Sequence, residues 1–353
     1  MKALRWHAQK DIRLEDIPET ELRPGWVKLR VKWCGICGTD LHEYLGGPIF
    51  IPAGQPHPLT GEQAPVTLGH EFSGEVVEVA DDVTDFKPGD RVTVEPIVKD
   101  FDSEENRRGL YNLDPKLGFY GLAGWGGGFS EYAALPAYML HRLPDNVSYE
   151  QAALTEPAAV ALHAVRQSRL KVGDTAAVFG AGPIGLLIVD ALKASGASKI
   201  FVVEPSEERR SKAASLGAET IDPRNTDPVE AIRKATGGGV DVSYEVTGVG
   251  PVLSQCLDAV RPQGEMMVVS VWEKPAELDP NKILMSEKHV SGIIGYRDIF
   301  PATLALMERG YFKTEDFVTA KIALDNVEEQ GFGQLLSDKS QVKILVSPDL
   351  AAQ

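Results

Sequence analysis

The amino-acid sequence predicts an α/β protein in which a barrel-like β-domain is joined to a doubly wound parallel sheet. Its 353 residues are more than one ordinary hydrophobic core holds, which favours two domains. Up to about residue 150, short runs of alternating apolar and polar residues are separated by glycine and proline, as is typical of antiparallel strands. From about residue 174, short apolar runs alternate with amphipathic stretches, which indicates parallel strands linked by helices.

The composition is that of a globular protein, with 43% hydrophobic and 25% charged residues. A net charge of -15 without any basic run argues against nucleic acid as a partner. No apolar stretch follows a basic start, and no run of about 18 apolar residues occurs, so we expect neither a signal peptide nor a membrane span. Three cysteines do not suit a disulfide framework, and we expect a cytoplasmic protein.

The first strong strand signal is VKLRVKW, which ends on Trp33 and alternates apolar residues with lysine and arginine. GEVVEVADDV and RVTVEP follow the same pattern, and KPGD between them supplies the proline and glycine of a tight turn. Cys34 continues the first strand and is predicted to be a core residue. The polar segment Lys99–Leu117 is predicted to be an exposed excursion from the β-domain.

The second half repeats a unit of strand, turn and helix. Apolar runs at 176–180 and 200–204 predict strands of a parallel sheet that is covered on both faces. Helices are predicted to begin near Ser206 and near Pro228, because proline is well placed in a first helical turn. VDVSYEV and EMMVVSV predict further strands. The tail is predicted to add a helix in FPATLALMERG and a last strand in VKILVSP.

A glycine-rich turn follows the first of these parallel strands. Gly180, Gly182 and Gly185 form G-x-G-x-x-G between a predicted strand and a predicted helix, the context in which this motif indicates dinucleotide binding. The helix would start at Pro183 and Ile184, and its free N–H groups would meet a pyrophosphate. The alternative is an ordinary strand-to-helix turn.

Glu204 ends the second strand, 19 residues after the last of these glycines. A carboxylate there would accept hydrogen bonds from an adenosine ribose and repel a 2′-phosphate, which predicts NAD rather than NADP. The alternative is a charge at a helix N-terminus, before a cap at Ser206. Arg209 is close enough in sequence to weaken the discrimination by offering a cation.

Cys37 and His70 are the candidate metal ligands, but no compact metal motif joins them. A closed all-thiolate cage is impossible with three cysteines, so an open, mixed site is the natural option. From the residues alone, Cys34-x-x-Cys37 could equally be half of a structural zinc site or a redox pair, and His70 an ordinary loop histidine.

The sequence resembles the zinc-dependent medium-chain alcohol dehydrogenases over essentially its whole length. Six strings occur in the order typical of that family: CGICGTDLH, GHEFSGEVVEV, KPGDRV, GGGFSEY, TEPAAVALHAV and GAGPIG. The resemblance implies a GroES-like catalytic domain over 1–157 and 298–353, and a Rossmann NAD-binding domain over 158–297. It also implies that the loops after two strands contact the cofactor, through Val246, Thr247, Val269, Ser270 and Val271.

The resemblance implies one catalytic zinc held by Cys37, His70 and a glutamate. Glu156 is the expected direct ligand, and Glu71, next to His70, is the alternate. Asp40 is similar to the family carboxylate that orients the histidine ligand. Many relatives bind a second, structural zinc through four closely spaced cysteines, but the segment Lys99–Leu117 has none, so no structural zinc is expected.

The resemblance further implies reversible, NAD-linked oxidation of an alcohol. Strings such as EVTGV, SVWEK and GIIGYRDIFP are similar to the branch that oxidises the vicinal diol 2,3-butanediol to acetoin. Thr39 would take the substrate proton and His42 would release it to solvent, with Glu156 beside the diol. From the residues alone, the simpler interpretation is that Thr39 caps a helix beginning after it and that His42 is a surface residue.

Two alternatives remain at this point. A sorbitol-like polyol dehydrogenase or a threonine dehydrogenase would share these residues, and a non-catalytic NAD-binding relative would need no metal ligands. The expected partner is a small diol or ketone, with no nucleic acid and no membrane. The family associates through the edge of its parallel sheet, so we expect a homodimer or homotetramer with EMMVVSVW as core and interface strand.

Overall fold

The computed structural model describes residues 1–351 and divides into two compact units. The first comprises Met1–Glu156, Phe300–Arg309 and the segment from Lys313 onwards, and the second comprises Pro157–Ile299 and Gly310–Phe312. After Phe300–Arg309, the chain therefore returns to the second unit for the three residues Gly310–Phe312. The expected single boundary at 298 does not include this return.

The first unit consists of short strands and short helices. In chain order they are β1 (Lys2–Ala8), β2 (Asp11–Asp16), β3 (Trp26–Gly35), α1 (Gly38–Gly46), β4 (Val66–Thr67), β5 (Glu71–Val79), β6 (Arg91–Val94), β7 (Ile97–Val98), α2 (Glu104–Arg107), β8 (Gly118–Phe119), β9 (Tyr132–Pro136), β10 (Leu140–Arg142) and α3 (Tyr149–Ala152).

The second unit alternates helices and strands, and the first unit then resumes. The elements of the second unit are α4 (Thr155–Gln167, whose first two residues belong to the first unit), β11 (Thr175–Phe179), α5 (Pro183–Ala194), β12 (Lys199–Val203), α6 (Glu207–Ser215), β13 (Glu219–Ile221), α7 (Pro228–Thr236), β14 (Val240–Glu245), α8 (Gly250–Ala259), β15 (Val260–Val268), α9 (Pro280–Leu284) and β16 (His289–Gly292). The returning elements are α10 (Phe300–Glu308), α11 (Thr314–Phe317), β17 (Val318–Ala323), α12 (Gln334–Ser337) and β18 (Lys343–Ser347).

The main sheet of the first unit has strand order β10-β6-β5-β3-β18-β17, with β9 also paired to β3. All its pairs are antiparallel except β17 with β18. The register of β3 against β5 shifts between Val31 and Trp33, so the alternation expected for this strand breaks there. Trp33 is only half-buried, and Cys34 takes a fully buried core position, as the sequence predicted for the cysteine.

The second unit contains the predicted doubly wound sheet. Its six strands are parallel in the order β13-β12-β11-β14-β15-β16. The order of connection reverses between β11 and β14, and ligands of such sheets bind beyond the carboxyl ends of the strands at that point. The run EMMV, residues 265–268, belongs to β15, which pairs on both sides, so it is not at the edge. The edge strand is β16, which alternates half-buried and exposed residues.

The segment Lys99–Leu117 is not simply an exposed excursion. Tyr111 is buried, and its hydroxyl donates to the buried carboxylate of Glu95 at 2.7 Å. The second oxygen of Glu95 lies 2.9 Å from His141 Nε2 on β10. Lys99 Nζ sits 3.9 Å from the centre of the Tyr111 ring. The excursion is thus fastened to the β-domain by side-chain contacts between residues distant in sequence. Among residues 1–351, no helix has the length and apolar character that crossing a membrane requires.

Candidate metal centre and dinucleotide site

Helix α1 begins immediately after Cys37, which is its N-cap residue. The Asp40 carboxylate accepts a hydrogen bond from the Cys37 backbone N–H at 2.9 Å, which fixes the turn carrying the cysteine. Cys37 Sγ lies 3.6 Å from Thr39 Oγ1. The cysteine remains partly exposed, whereas Asp40 is fully buried. Cys37 is therefore not enclosed in the core.

Glu71 is the first residue of β5 and His70 immediately precedes it; the pairing of β5 with β3 puts Glu71 opposite Gly35. A Cβ on Gly35 would lie 2.2 Å from a carboxylate oxygen of Glu71, so only glycine leaves room for that side chain. His70 Nδ1 is 3.6 Å from the second oxygen of Asp40. Asp40 thus faces both the cysteine turn and the histidine ring, the arrangement in which a carboxylate orients a ligating imidazole.

Cys37, His70 and Glu71 form the one group of three candidate ligands found in the part of the chain that the structure describes. One ligand atom of each lies within 4.8 Å of the other two. Thiolate, imidazole and carboxylate form a donor set that suits zinc. Burial would lower the pKa of His70, but the negative charges of Asp40 and Cys37 raise it well above its usual range. Such an excess of negative charge fits a bound cation.

Glu156 lies in the first turn of α4 and is buried, but it is not a member of this group of three. Glu71 is a member, and its carboxylate is also bound by the buried ammonium of Lys343, with Nζ–O distances of 2.8 and 2.6 Å. Lys343 Nζ donates a further hydrogen bond to the Ile36 carbonyl at 3.0 Å.

Sequence reasoning missed Lys343. Burial would lower its pKa, but the charges of Glu71, Cys37 and Glu156 raise it. The signal was a lysine inside the apolar run VKILVS, every residue of which is buried. A charge in such a strand requires a buried partner.

The two residues proposed for proton transfer lie along the exposed side of α1. Thr39 is half-buried beside the cysteine, and His42, three residues further, is exposed. The helix starts at Gly38 with Cys37 as its cap, so Thr39 is not the residue that caps it. The surface position of His42 suits both an exchange of protons with solvent and a purely solvated side chain.

The glycine-rich turn in the second unit joins β11 to α5. Gly180 has φ of +105°, which favours glycine, and a Cβ there would meet Thr247 Cγ2 at 2.8 Å. Gly182 is the N-cap of α5, and Pro183 is its first residue, followed by Ile184. A Cβ on Gly185 would lie 2.1 Å from the Gly180 carbonyl oxygen. The glycines therefore permit the tight turn and the close helix packing that dinucleotide binding uses.

Glu204 follows β12 and reaches the same turn. One carboxylate oxygen accepts a hydrogen bond from the Ala181 N–H at 2.8 Å, and the other accepts from the Ser206 N–H at 2.9 Å. Ser206 caps α6, so Glu204 contributes both to the turn and to the start of a helix. Arg209 lies half-buried in the first turn of α6. The neighbouring Arg210 is held by Asp222, with 3.2 Å between Nη2 and a carboxylate oxygen.

The other predicted cofactor residues follow β14 and β15 at the same end of the sheet. The Val246 N–H donates to the Phe179 carbonyl at 3.2 Å, which holds this loop against the strand that carries the glycine turn. Thr247 comes next in that loop. Val269, Ser270 and Val271 follow β15, and the Val271 side chain is exposed. Sequence reasoning overlooked Glu245, the buried residue that ends β14, although it opens the quoted string EVTGV.

An open site of thiolate, imidazole and carboxylate, together with a doubly wound dinucleotide-binding sheet, defines a zinc-dependent alcohol dehydrogenase. Residues 23–145 match the alcohol dehydrogenase GroES-like domain, and residues 183–309 match the zinc-binding dehydrogenases. The chain belongs to this family, and the resemblance inferred from its sequence is confirmed.

Full-length relatives are similar to this chain. It is 61% identical to (R,R)-butanediol dehydrogenase of Bacillus subtilis over 99% of this chain and 100% of the relative. It is 44% identical to (R,R)-butanediol dehydrogenase of Neisseria gonorrhoeae over 99% and 100% of the two chains. The crystal structure of 2R,3R-butanediol dehydrogenase from Bacillus subtilis superposes with a TM-score of 0.95 at 60% identity, covering 99% of each chain.

Proposed function

We propose that the chain catalyses the reversible oxidation of a vicinal secondary diol with NAD and zinc, chiefly (R,R)-2,3-butanediol to acetoin, and the reduction of acetoin or diacetyl in reverse. The observation that carries the proposal is the cluster of Cys37, His70 and Glu71, in a chain that is 61% identical over 99% of its length to (R,R)-butanediol dehydrogenase of Bacillus subtilis. The domain roles follow, with 1–157 and 298–353 as catalytic domain and 158–297 as NAD-binding domain.

The proposed zinc ligands are Cys37, His70 and Glu156. A bound zinc ion supplies a Lewis acid that lowers the pKa of a substrate hydroxyl. Glu71 is kept as the alternate third ligand. It ranks second because Lys343 already binds its oxygens, and that buried ion pair would have to break before Glu71 could bind the metal. Replacing the direct ligand by glutamine should reduce zinc affinity about tenfold or more. Equilibrium dialysis of Glu156→Gln and Glu71→Gln distinguishes the two.

The proton of the substrate hydroxyl would leave along α1. Thr39 Oγ1, next to the cysteine sulfur, would accept it, and His42 on the exposed side of the same helix would release it to water. A bound nicotinamide dinucleotide would supply the ring that accepts the hydride.

Selectivity for a diol requires a second polar contact and an apolar wall. Glu156 is the proposed partner of the second oxygen, which predicts that 2-butanol is a much poorer substrate. For the wall, Phe119 packs against both the His70 ring and the Phe50 ring, with 6.4 Å between centroids in each case. The segment 44–51, which begins in the last turn of α1, thus reaches the metal ligands through Phe119. Trp125 is proposed as a second wall residue, and its ring packs on that of Trp26.

One zinc per subunit is proposed, because the segment 99–117 carries no cysteine. Metal analysis by atomic emission after dialysis checks this, and two tightly bound zinc ions per subunit would contradict it. The NAD preference is assigned to Glu204.

We propose a cytoplasmic homodimer or homotetramer that associates through the β16 edge. Val290 on that strand, and Leu284 and Met285 just before it, are exposed apolar residues. Light scattering after gel filtration measures the assembly, and Val290→Lys should weaken it.

The test of function is NADH formation with each stereoisomer of 2,3-butanediol, with sorbitol and with threonine, with and without a zinc chelator. The proposal expects fastest turnover of the (R,R) diol and loss of turnover with chelator. Preference for sorbitol or threonine would assign the chain to the alternative activities of the same family. Undiminished NADH binding without turnover of any alcohol would indicate a non-catalytic NAD-binding protein.

A further inference from the structure

Glu245 is a buried carboxylate at the carboxyl end of β14, and within residues 1–351 its side chain is hydrogen-bonded only by the two loops beyond the sheet. One oxygen accepts hydrogen bonds from the Thr247 N–H at 2.7 Å, from the Thr247 hydroxyl at 2.5 Å and from the Gly248 N–H at 3.1 Å. The other accepts from the Ser270 hydroxyl. All four donors are neutral, and Glu245 has no solvent exposure. The charge therefore depends entirely on the two loops for its solvation.

The backbone of Glu245 binds the second loop as well. Its carbonyl oxygen accepts from the Val269 N–H at 2.9 Å and from the Ser270 N–H at 3.3 Å. The loops also touch each other, because a Cβ on Gly248 would lie 3.2 Å from the Val271 carbonyl oxygen. A single residue thus holds both loops in one arrangement.

This arrangement extends to the glycine turn. The side chains of Val246 and Thr247 occupy the space beside Gly180 and Gly185, where added Cβ atoms would meet them at 2.8 to 3.4 Å. The loop that Glu245 anchors is therefore packed against the turn proposed to bind the pyrophosphate. The two contacts have different chemistry: apolar packing towards the phosphate turn, and hydrogen bonds towards the loop after β15.

The topology divides a bound dinucleotide between these elements. The sheet order reverses between β11 and β14, and Glu204 on the β12 side is the proposed partner of the adenosine ribose. The other half of a bound dinucleotide, which carries the nicotinamide, would then extend towards the loops after β14 and β15. We propose that Glu245 is a positioning residue that sets these two loops for the nicotinamide half of the cofactor.

This inference rests on the proposed function only in taking the ligand to be a nicotinamide dinucleotide. It is tested with NADH and with ADP-ribose, which lacks the nicotinamide ring. Glu245→Ala leaves four donors without their acceptor and frees both loops. We expect NADH binding to weaken about ten- to a hundredfold, and ADP-ribose binding to change little. Glu245→Gln, which keeps one acceptor oxygen for Thr247 and Gly248, should recover most of the loss.

The matched control is Asp241, at the opposite end of the same strand. Its carboxylate is also bonded by several donors, including the Thr175 N–H and hydroxyl at 2.8 Å each and Arg261 Nε at 2.6 Å. Asp241→Ala should lower thermal stability, but it should leave the ratio of NADH affinity to ADP-ribose affinity unchanged. Ser270→Ala removes one hydrogen bond from Glu245 and should reduce NADH affinity in the same direction as Glu245→Ala, but by less. It replaces Glu245→Ala in the test if that variant does not fold.

The affinities are measured on zinc-loaded, full-length protein, by NADH fluorescence and by calorimetry with ADP-ribose. A selective loss of NADH affinity in Glu245→Ala or Ser270→Ala supports the proposal. Equal losses for both ligands, or none, would overturn it and leave Glu245 as a purely structural residue. Failure of the proposed function has a different signature, since wild-type protein would then bind NADH but oxidise no diol.

Discussion

Replacing Lys343 by methionine should destabilise the protein strongly only when zinc is absent. Lys343 and Glu71 form an ion pair in which both side chains are almost wholly buried, 3% and 1% exposed. Methionine has a similar length but no charge, so Glu71 would be left as a buried, unpaired carboxylate. Breaking such a pair costs about 3–5 kcal/mol. For a domain of this size that corresponds to a fall of roughly 6–20 °C in melting temperature.

Bound zinc should reverse most of this loss. Once Lys343 is removed, Glu71 can turn its charge to the metal beside Cys37 and His70, since the three ligand atoms already lie within 4.8 Å of one another. The variant should therefore bind zinc more tightly than the wild type, and its melting temperature should recover when zinc is added.

The assay is thermal unfolding of wild type and variant, each after chelation and after reloading with zinc. Lys321→Met is the matched control, because Lys321 lies on the neighbouring strand β17 and pairs with Glu150 at the surface, 2.6 Å away. An exposed pair contributes about 0–1 kcal/mol, so this control should change little in either state. The reasoning is refuted if Lys343→Met loses the same stability with and without zinc.

Three further predictions concern the cofactor, the proton path and the buried Glu95 that fastens the segment Lys99–Leu117. Glu204→Ala should bring NADP turnover close to NAD turnover, because the carboxylate that repels a 2′-phosphate is gone; an unchanged ratio of kcat/KM values would refute that role. His42→Ala should slow diol oxidation mainly at low pH, and an unaltered pH–rate profile would remove His42 from the proton path. Burial opposes ionisation of Glu95, but His141, Lys99 and Tyr111 together hold its pKa below the usual 4.5. A carboxyl whose pKa is lowered by folding contributes stability above its unfolded-state pKa, and this contribution is lost as pH falls through its lower folded-state pKa. Glu95→Gln should therefore cost about 1–3 kcal/mol at pH 7, as measured by urea unfolding, and progressively less as pH falls from 4.5 through the folded-state pKa.

The geometry of the candidate dinucleotide turn could be predicted from local sequence. A strand, a turn, a helix and a second strand follow one another without interruption, so the distance from Gly180 to Glu204 along the chain determines which side chains meet. The structure accordingly brings the Glu204 carboxylate to the Ala181 N–H of the glycine turn. The metal centre was different, because no spacing rule joins Cys37 to His70, and only the resemblance to a family paired them.

Periodicity predicted the elements of both units, because it reflects which face of each strand or helix is buried. It predicted Cys34 in the core, but it could not predict the register shift in β3 that leaves Trp33 only half-buried, since such a shift depends on the partner strand. The same holds for Glu95 and His141, which meet across 46 residues of sequence. Lys343 and Glu71 lie 272 residues apart and meet only because β18 and β5 both pair with β3. The sequence by itself determined the domains' character and the residue types of the site, whereas strand pairing decided which charges are buried together, because that depends on registers no local pattern contains.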